Sequence, residues 1–107
     1  MDAPIAKVTL IGKRAGEEAF EITAEIGTPY KFGEDPEEWA CPVSLTPLYM
    51  RLPDAHGGNS LQALCLAISL IQDLLQDFKD KGGVLTHDGN VDEFALDAYS
   101  FRPKSLK

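Results

Sequence analysis

The sequence predicts an α+β fold: a three- or four-stranded, mainly antiparallel sheet with one long helix packed across one face. Three observations predict it. Phe20, Ile22, Ala24 and Ile26 alternate with Glu21, Thr23 and Glu25, the period of a half-buried antiparallel strand with one wet face. From Ser60 to Lys81 helix formers run without Gly or Pro, between a capping signal at Asn59 and a stop at Gly82–Gly83. The chain has 107 residues, 44% hydrophobic and 25% charged, a composition that fits one globular domain. That domain is expected over residues 1–101, with residues 102–107 as a polar tail.

Taken in order, Ile5 to Ile11 is β-branched and apolar, broken only by Lys7 and Thr9, and reads as a first strand before Gly12. Lys13–Arg14–Ala15–Gly16 is the turn into the alternating strand at 20–26, which Gly27–Thr28–Pro29 ends. Tyr30 to Glu38, with Gly33, Pro36 and four acids, reads as a loop. Trp39, Cys41, Val43 and Leu45 then alternate with Ala40, Pro42 and Ser44, giving a third strand. Pro42 has no N–H for a ladder, which puts this strand at an edge or a bulge. Leu48 to Leu52, bracketed by Pro47 and Pro53, is expected to cross to the helix as a short extended piece.

Asn59 as N-cap, with Gln62 three residues on, makes a capping box, and a helix from Ser60 to Lys81 would be a rod of about 33 Å. Lys79 and Lys81 suit the negative end of its dipole. Val84 to His87 reads as a returning strand, stopped by Asp88–Gly89. Asn90 and Glu93 repeat the capping spacing, so a short helix is expected between Asn90 and Phe101, although Phe94 and Leu96 between acids also suit a strand.

The net charge of −7, with ten Lys and Arg, argues against a nucleic-acid partner, which would need basic side chains to neutralise phosphates. The most apolar stretch, Leu61 to Ile71, is too short to span a bilayer, so no membrane partner is expected. Met1–Asp2–Ala3–Pro4 carries neither the basic nor the apolar region of a signal peptide, and Cys41 and Cys65 are too sparse for a disulfide scaffold. A cytoplasmic chain with two free, buried thiols is therefore expected.

Trp39-x-Cys41-Pro42-Val43, then Gly57-x-x-Ser60-Leu61-Gln62-Ala63-Leu64-x-Leu66-Ala67, and Gly83-x-Leu85 resemble a family of small uncharacterised bacterial proteins. The resemblance covers roughly residues 18–87, and the Ser-Leu-Gln-Ala-Leu helix start is its most specific part. It implies a bacterial, cytoplasmic origin and supplies no catalytic residue.

Two regions are candidates for function. Asp54, His56, Gly57, Gly58, Asn59 and Ser60 lead into the helix, where free N–H groups and flexible glycines favour a small anion; a plain connection is the competing reading. The second region is the helix surface. Leu61, Leu64, Ile68, Ile71 and Leu75 share one side, which makes Leu64 and Ile68 expected core positions. Ala63, Leu66, Ala67, Leu70 and Leu74 widen the apolar arc well beyond the 100° one packed face needs. Either the C-terminal segment or another chain should cover that flank. An interaction surface at Leu66, Leu70, Leu74 and Trp39 is thus expected, serving self-association as a homodimer or a small regulatory or immunity-type role. No metal-ligand spacing, cofactor motif or catalytic set occurs, so a non-enzymatic interaction module is the leading expectation. A small-anion binder or enzyme at residues 54–60 is the alternative.

Overall fold

The computed structural model describes residues 3–87 and 92–99. Its architecture is α+β, as expected, but the strands form two antiparallel sheets that share one helix. β1 (Ala6–Lys13) and β2 (Phe20–Ile26) pair in full register, from Ala6 opposite Ile26 to Gly12 opposite Phe20. With β5 (Val43–Thr46) and β7 (Val84–His87) they make a four-stranded sheet in the order β5-β2-β1-β7. β3 (Tyr30–Glu34), β4 (Glu37–Cys41) and β6 (Ala55–Gly57) make a three-stranded sheet in that order.

Three expectations are corrected here. The segment read as a loop, Tyr30 to Glu38, is mostly a β-hairpin, turned at a cis Asp35–Pro36 bond. The single strand expected from Trp39 to Leu45 is two strands in different sheets, parted at Pro42. Pro42 cannot donate to a ladder, so pairing stops there, while its carbonyl accepts the Gly27 N–H at 2.9 Å. Leu48 to Leu52, expected to be extended, is a turn followed by irregular chain.

The helix α1 spans Ser60–Asp80, one residue short of the expected end. Asn59 caps it, its side chain accepting the Gln62 N–H at 2.8 Å, and the Gln62 side chain accepts the Gly58 N–H at 2.6 Å. The reciprocal bond thus lands one residue further back than in the usual capping box. At the other end Gly82, at φ 96°, donates to the Lys79 carbonyl, and Gly83 donates to that of Phe78. This Schellman motif needs a left-handed residue, which glycine supplies without strain.

Two clusters under the helix hold the sheets. Leu10, Ile22, Ala24, Leu45, Leu75, Phe78, Leu85, Phe94 and Leu96 form the core of the four-stranded sheet. Ile26, Cys41, Val43, Ala63 and Ala67 form the other, and Leu52 packs against both. Alanines at positions 63 and 67 let α1 lie close over β4 and β6. The buried stripe therefore runs through Ala63, Ala67, Leu75 and Phe78, rotated from the expected one: Leu64 and Ile68 are half-buried and Leu61 is 63% exposed.

By length and composition alone the 21-residue helix is long and apolar enough to cross a membrane, with a mean hydropathy of 1.2 over an 18-residue window of which 22% is buried, a test that the core helix of a soluble domain also passes.

The chain itself covers part of the wide apolar arc, from both sides, and leaves Leu61 and Leu66 exposed. Leu48 and Tyr49 flank Leu74 and Phe78 on one side, and Phe94, Leu96 and Tyr99 flank Ile71 and Leu75 on the other. Residues Asp92 to Phe94 also run along the β7 edge, where Thr86 bridges Glu93 and Phe94 donates to the Leu85 carbonyl at 2.8 Å. Of the short helix expected between Asn90 and Phe101, the described part is a 3-10 turn at Leu96–Tyr99; Asn90, Val91 and Phe101 lie outside the described residues.

Candidate functional site

The outer face of the three-stranded sheet gathers the most chemistry. Ala40 pairs with Tyr30 on one side and His56 on the other. Paired residues share a face, so Tyr30, Ala40 and His56 form one row, and alternation along β4 adds Glu38. Trp39, Cys41 and Ala55 point the other way, towards α1. Lys31 pairs with Trp39 and Gly33 with Glu38, which leaves Phe32 as the extra residue of a bulge. The bulge sets the Phe32 ring edge-on to His56, at 4.8 Å between centroids and 83° between planes.

Two hydrogen-bonded pairs fix this face. The Tyr30 hydroxyl donates to Asp54 Oδ2 at 2.5 Å, and His56 Nδ1 meets Glu38 Oε2 at 2.5 Å. The bond to Asp54, which holds the phenol in its neutral form, raises the Tyr30 pKa, and slight burial and the carboxylate charge add to it. Ala40, without a side chain to project, lies fully buried between Tyr30 and His56, so the row is a shallow trough with polar walls. Phe32, 59% exposed, stands beside it. The surroundings are acidic: Glu34, Asp35 and Glu37 continue around the hairpin, against the single ammonium of Lys31, which pairs with Glu34 at 3.0 Å.

The loop expected to bind an anion splits between three jobs. Asp54 and His56 join the outer face. Gly57 lies against the helix, where a Cβ would come 2.7 Å from the backbone nitrogen of Ala63. Gly58 and Asn59 build the cap with Gln62, and Ser60 opens the helix. The N–H groups of Gly58 and Gln62 are therefore already bonded to side chains.

Of the interaction surface expected at Leu66, Leu70, Leu74 and Trp39, only Leu66 is exposed, at 44%. Leu70 and Trp39 are half-buried against the smaller cluster, Leu74 against the larger. Tyr30, Phe32 and Glu38 were missed because Gly33, Pro36 and the acids argue for a loop. The alternation of Tyr30 and Phe32 around Lys31 was the available strand signal.

Among the described residues, no three His, Cys, Asp or Glu side chains converge to hold a metal ion. Cys41 is fully buried, with its thiol 3.5 Å from the Gly27 carbonyl, while Cys65, expected to be buried, is only partly so. Burial pushes the Cys41 thiol up, and the charge of Asp54 adds to it. Since the thiolate is the nucleophile, native Cys41 should label far more slowly than Cys65 at neutral pH, and slowly still at the pH of an ordinary thiol. Mass-resolved labelling with a maleimide checks this, and a Cys41 rate equal to that of Cys65 would show the sheets part readily.

Several cavities flank the helix, and two of them have apolar walls formed by core side chains. One, of about 250 Å3, is lined largely by apolar groups, among them Val8, Ala24, Ile26, Ile68, Leu75 and Phe94. The other, of about 160 Å3, lies at the helix C-terminus between Arg14, Tyr49, Lys81 and Gly83. No protein-family model, curated protein or solved structure matches this chain. Several residues of the motifs around Trp39 and the helix start have packing roles: Pro42 parts the sheets, Gly57 admits the helix, and Ala63 and Ala67 pack under it.

Proposed function

We propose that this chain is a non-enzymatic interaction module that receives a basic segment of a partner protein on the outer face of its three-stranded sheet. The observation that carries the reading is the grouping of Tyr30, Phe32, Glu38, Asp54 and His56 on one open face. An exposed aromatic ring beside carboxylates fits a Lys or Arg side chain twice over, through the ring's negative face and through ion pairing. The two internal hydrogen bonds hold the carboxylates in place, so little side-chain freedom is lost on docking. The charge of −7 would steer a basic partner inward at low salt.

The edge strand β3 argues for this face over strand-to-strand self-association. It is short, bulged and carries Lys31, the features that discourage edge pairing. The helix flank offers less to a second copy than its sequence promised, because Leu70 and Leu74 already pack within the chain.

Calorimetric titration of the full chain with a short Lys- and Arg-rich peptide tests the proposal. Saturable binding is expected, weakening as salt rises, with a roughly tenfold loss in Phe32→Ala and in Glu38→Gln. An equal response to a peptide with Glu in place of each basic residue would overturn it, as would no binding at low salt.

A further inference from the structure

A second site, independent of the sheet face, lies at the far end of α1. Arg14 follows β1, and its guanidinium lies over two rings, 5.0 Å from the Phe78 centroid and 5.4 Å from that of Phe20. The rings stand edge to face, 6.0 Å apart at 81°, so the stacking surface is rigid. Glu17 makes a long ion pair with Arg14, at 3.8 Å, beyond hydrogen-bond length, and Asp77 lines the same cavity. A guanidinium offers five N–H donors in a planar fork suited to two oxygens of one anion. Here the guanidinium rests on the two rings, and its ion pair with Glu17 is too long to occupy the fork with hydrogen bonds.

The cavity beside it gives an anion somewhere to sit. It encloses about 160 Å3 between Arg14, Tyr49 and Lys81, with Leu48, Leu74 and Phe78 as an apolar back wall. Lys81 is held by Asp77 at 2.9 Å, a bond that raises its pKa and keeps it cationic at neutral pH. The charged groups facing the cavity are therefore two cations against Asp77, with Glu17 at the rim, in a chain whose overall charge is −7. The carbonyl end of the helix dipole opposes an anion here. The Schellman bonds from Gly82 and Gly83 engage two of those carbonyls, and Lys79 and Lys81 offset the rest.

We propose that this cavity binds a small oxyanion, carboxylate or phosphate, carried on a compact apolar body. Arg14 grips two of its oxygens, Lys81 supplies a second charge, and Leu48, Leu74 and Phe78 receive the body. The volume decides the size class: it matches a cavity that takes benzene, about 150 Å3, and falls below those of drug-sized ligands, about 300 Å3 upward. An aromatic monocarboxylate belongs to that size class.

The test is an NMR titration of the full chain with benzoate, inorganic phosphate and benzyl alcohol, at constant ionic strength. Benzoate should shift the Arg14 side-chain signal and the Lys81 and Gly83 amides saturably. Phosphate should shift the same signals more weakly, and benzyl alcohol should leave them flat. Arg14→Lys keeps the charge but loses the fork, and should weaken benzoate at least tenfold. Because Arg14 also packs on the core, Lys81→Gln serves as a second variant with the stacking intact, and should weaken benzoate severalfold. Tighter phosphate than benzoate binding would assign the site to a phosphate-bearing ligand, which the proposal includes. It is overturned if neither anion shifts these signals saturably, if benzyl alcohol binds as well as benzoate, or if both variants bind benzoate unchanged.

Discussion

Phe78→Ala should lower the stability of the chain by about 3–5 kcal/mol, the largest loss expected of any single truncation in α1. Phe78 is 6% exposed and sits in the last turn of the helix, where the four-stranded sheet closes on it. Its ring meets Phe20 edge to face, lies under the Arg14 guanidinium, and fills the space left by Gly12 and Gly83. A Cβ at Gly12 would come within 3.2 Å of the Phe78 ring, so both strand and connection are shaped around it. Deleting the ring leaves a void that the paired strands β1 and β2 cannot close, and the cavity adds to the lost transfer energy. It also removes the surface on which Arg14 stacks, so benzoate binding should fall with it. Urea denaturation, with the slope unchanged between variants, gives the number. A loss below 1 kcal/mol would mean that the ring is not in the core.

Phe78 also shows where the sequence was legible and where it was not. The helix was readable to within a residue, because caps and stops are local: Asn59, Gln62 and Gly82 announce themselves within one turn. Its inward face was harder. The expected side centred on Leu64 and Ile68, since large aliphatic residues mark a core. The buried stripe instead passes through Ala63 and Ala67, because close packing against β4 selects small residues that carry little hydrophobic signal. The division of the strands between two sheets was not legible either, for a physical reason. Alternation from Trp39 to Leu45 is continuous across Pro42, and only non-local pairing reveals that the two halves belong to different sheets. The candidate site suffered from the same blindness. Tyr30, Glu38 and His56 come together through the register of three strands, which no spacing along the chain encodes. Asp54 and His56 were singled out as members of a glycine loop, and the structure also places them on an acidic, aromatic sheet face.

The two glycines of that loop give the sharpest test of how it works. Gly57→Val should destabilise the chain by about 1–3 kcal/mol or more, whereas Gly58→Ala should change stability by less than about 0.5 kcal/mol. A Cβ at position 57 would stand 2.7 Å from the nitrogen of Ala63 and 3.0 Å from the carbonyl carbon of Gln62, both backbone atoms inside the first turn of a capped helix. Neither can step aside, so either α1 lifts off β6 or β6 lifts off the helix. At position 58 the nearest atom would be the side-chain oxygen of Gln62 at 3.5 Å, an ordinary contact with a flexible group. An anion-wrapping loop predicts something different: both glycines would matter for ligand and neither much for stability. Movement of β6 carries a further consequence. His56 sits between Asp54 and Gly57, paired to Ala40, so a displaced β6 breaks the His56–Glu38 bond and loosens the face proposed to receive a basic partner. Gly57→Val should therefore weaken the Lys- and Arg-rich peptide as well as the fold, measured under conditions where the variant remains folded. Equal, small effects of the two substitutions would return the loop to a ligand-binding role and show that β6 is not pressed against the helix.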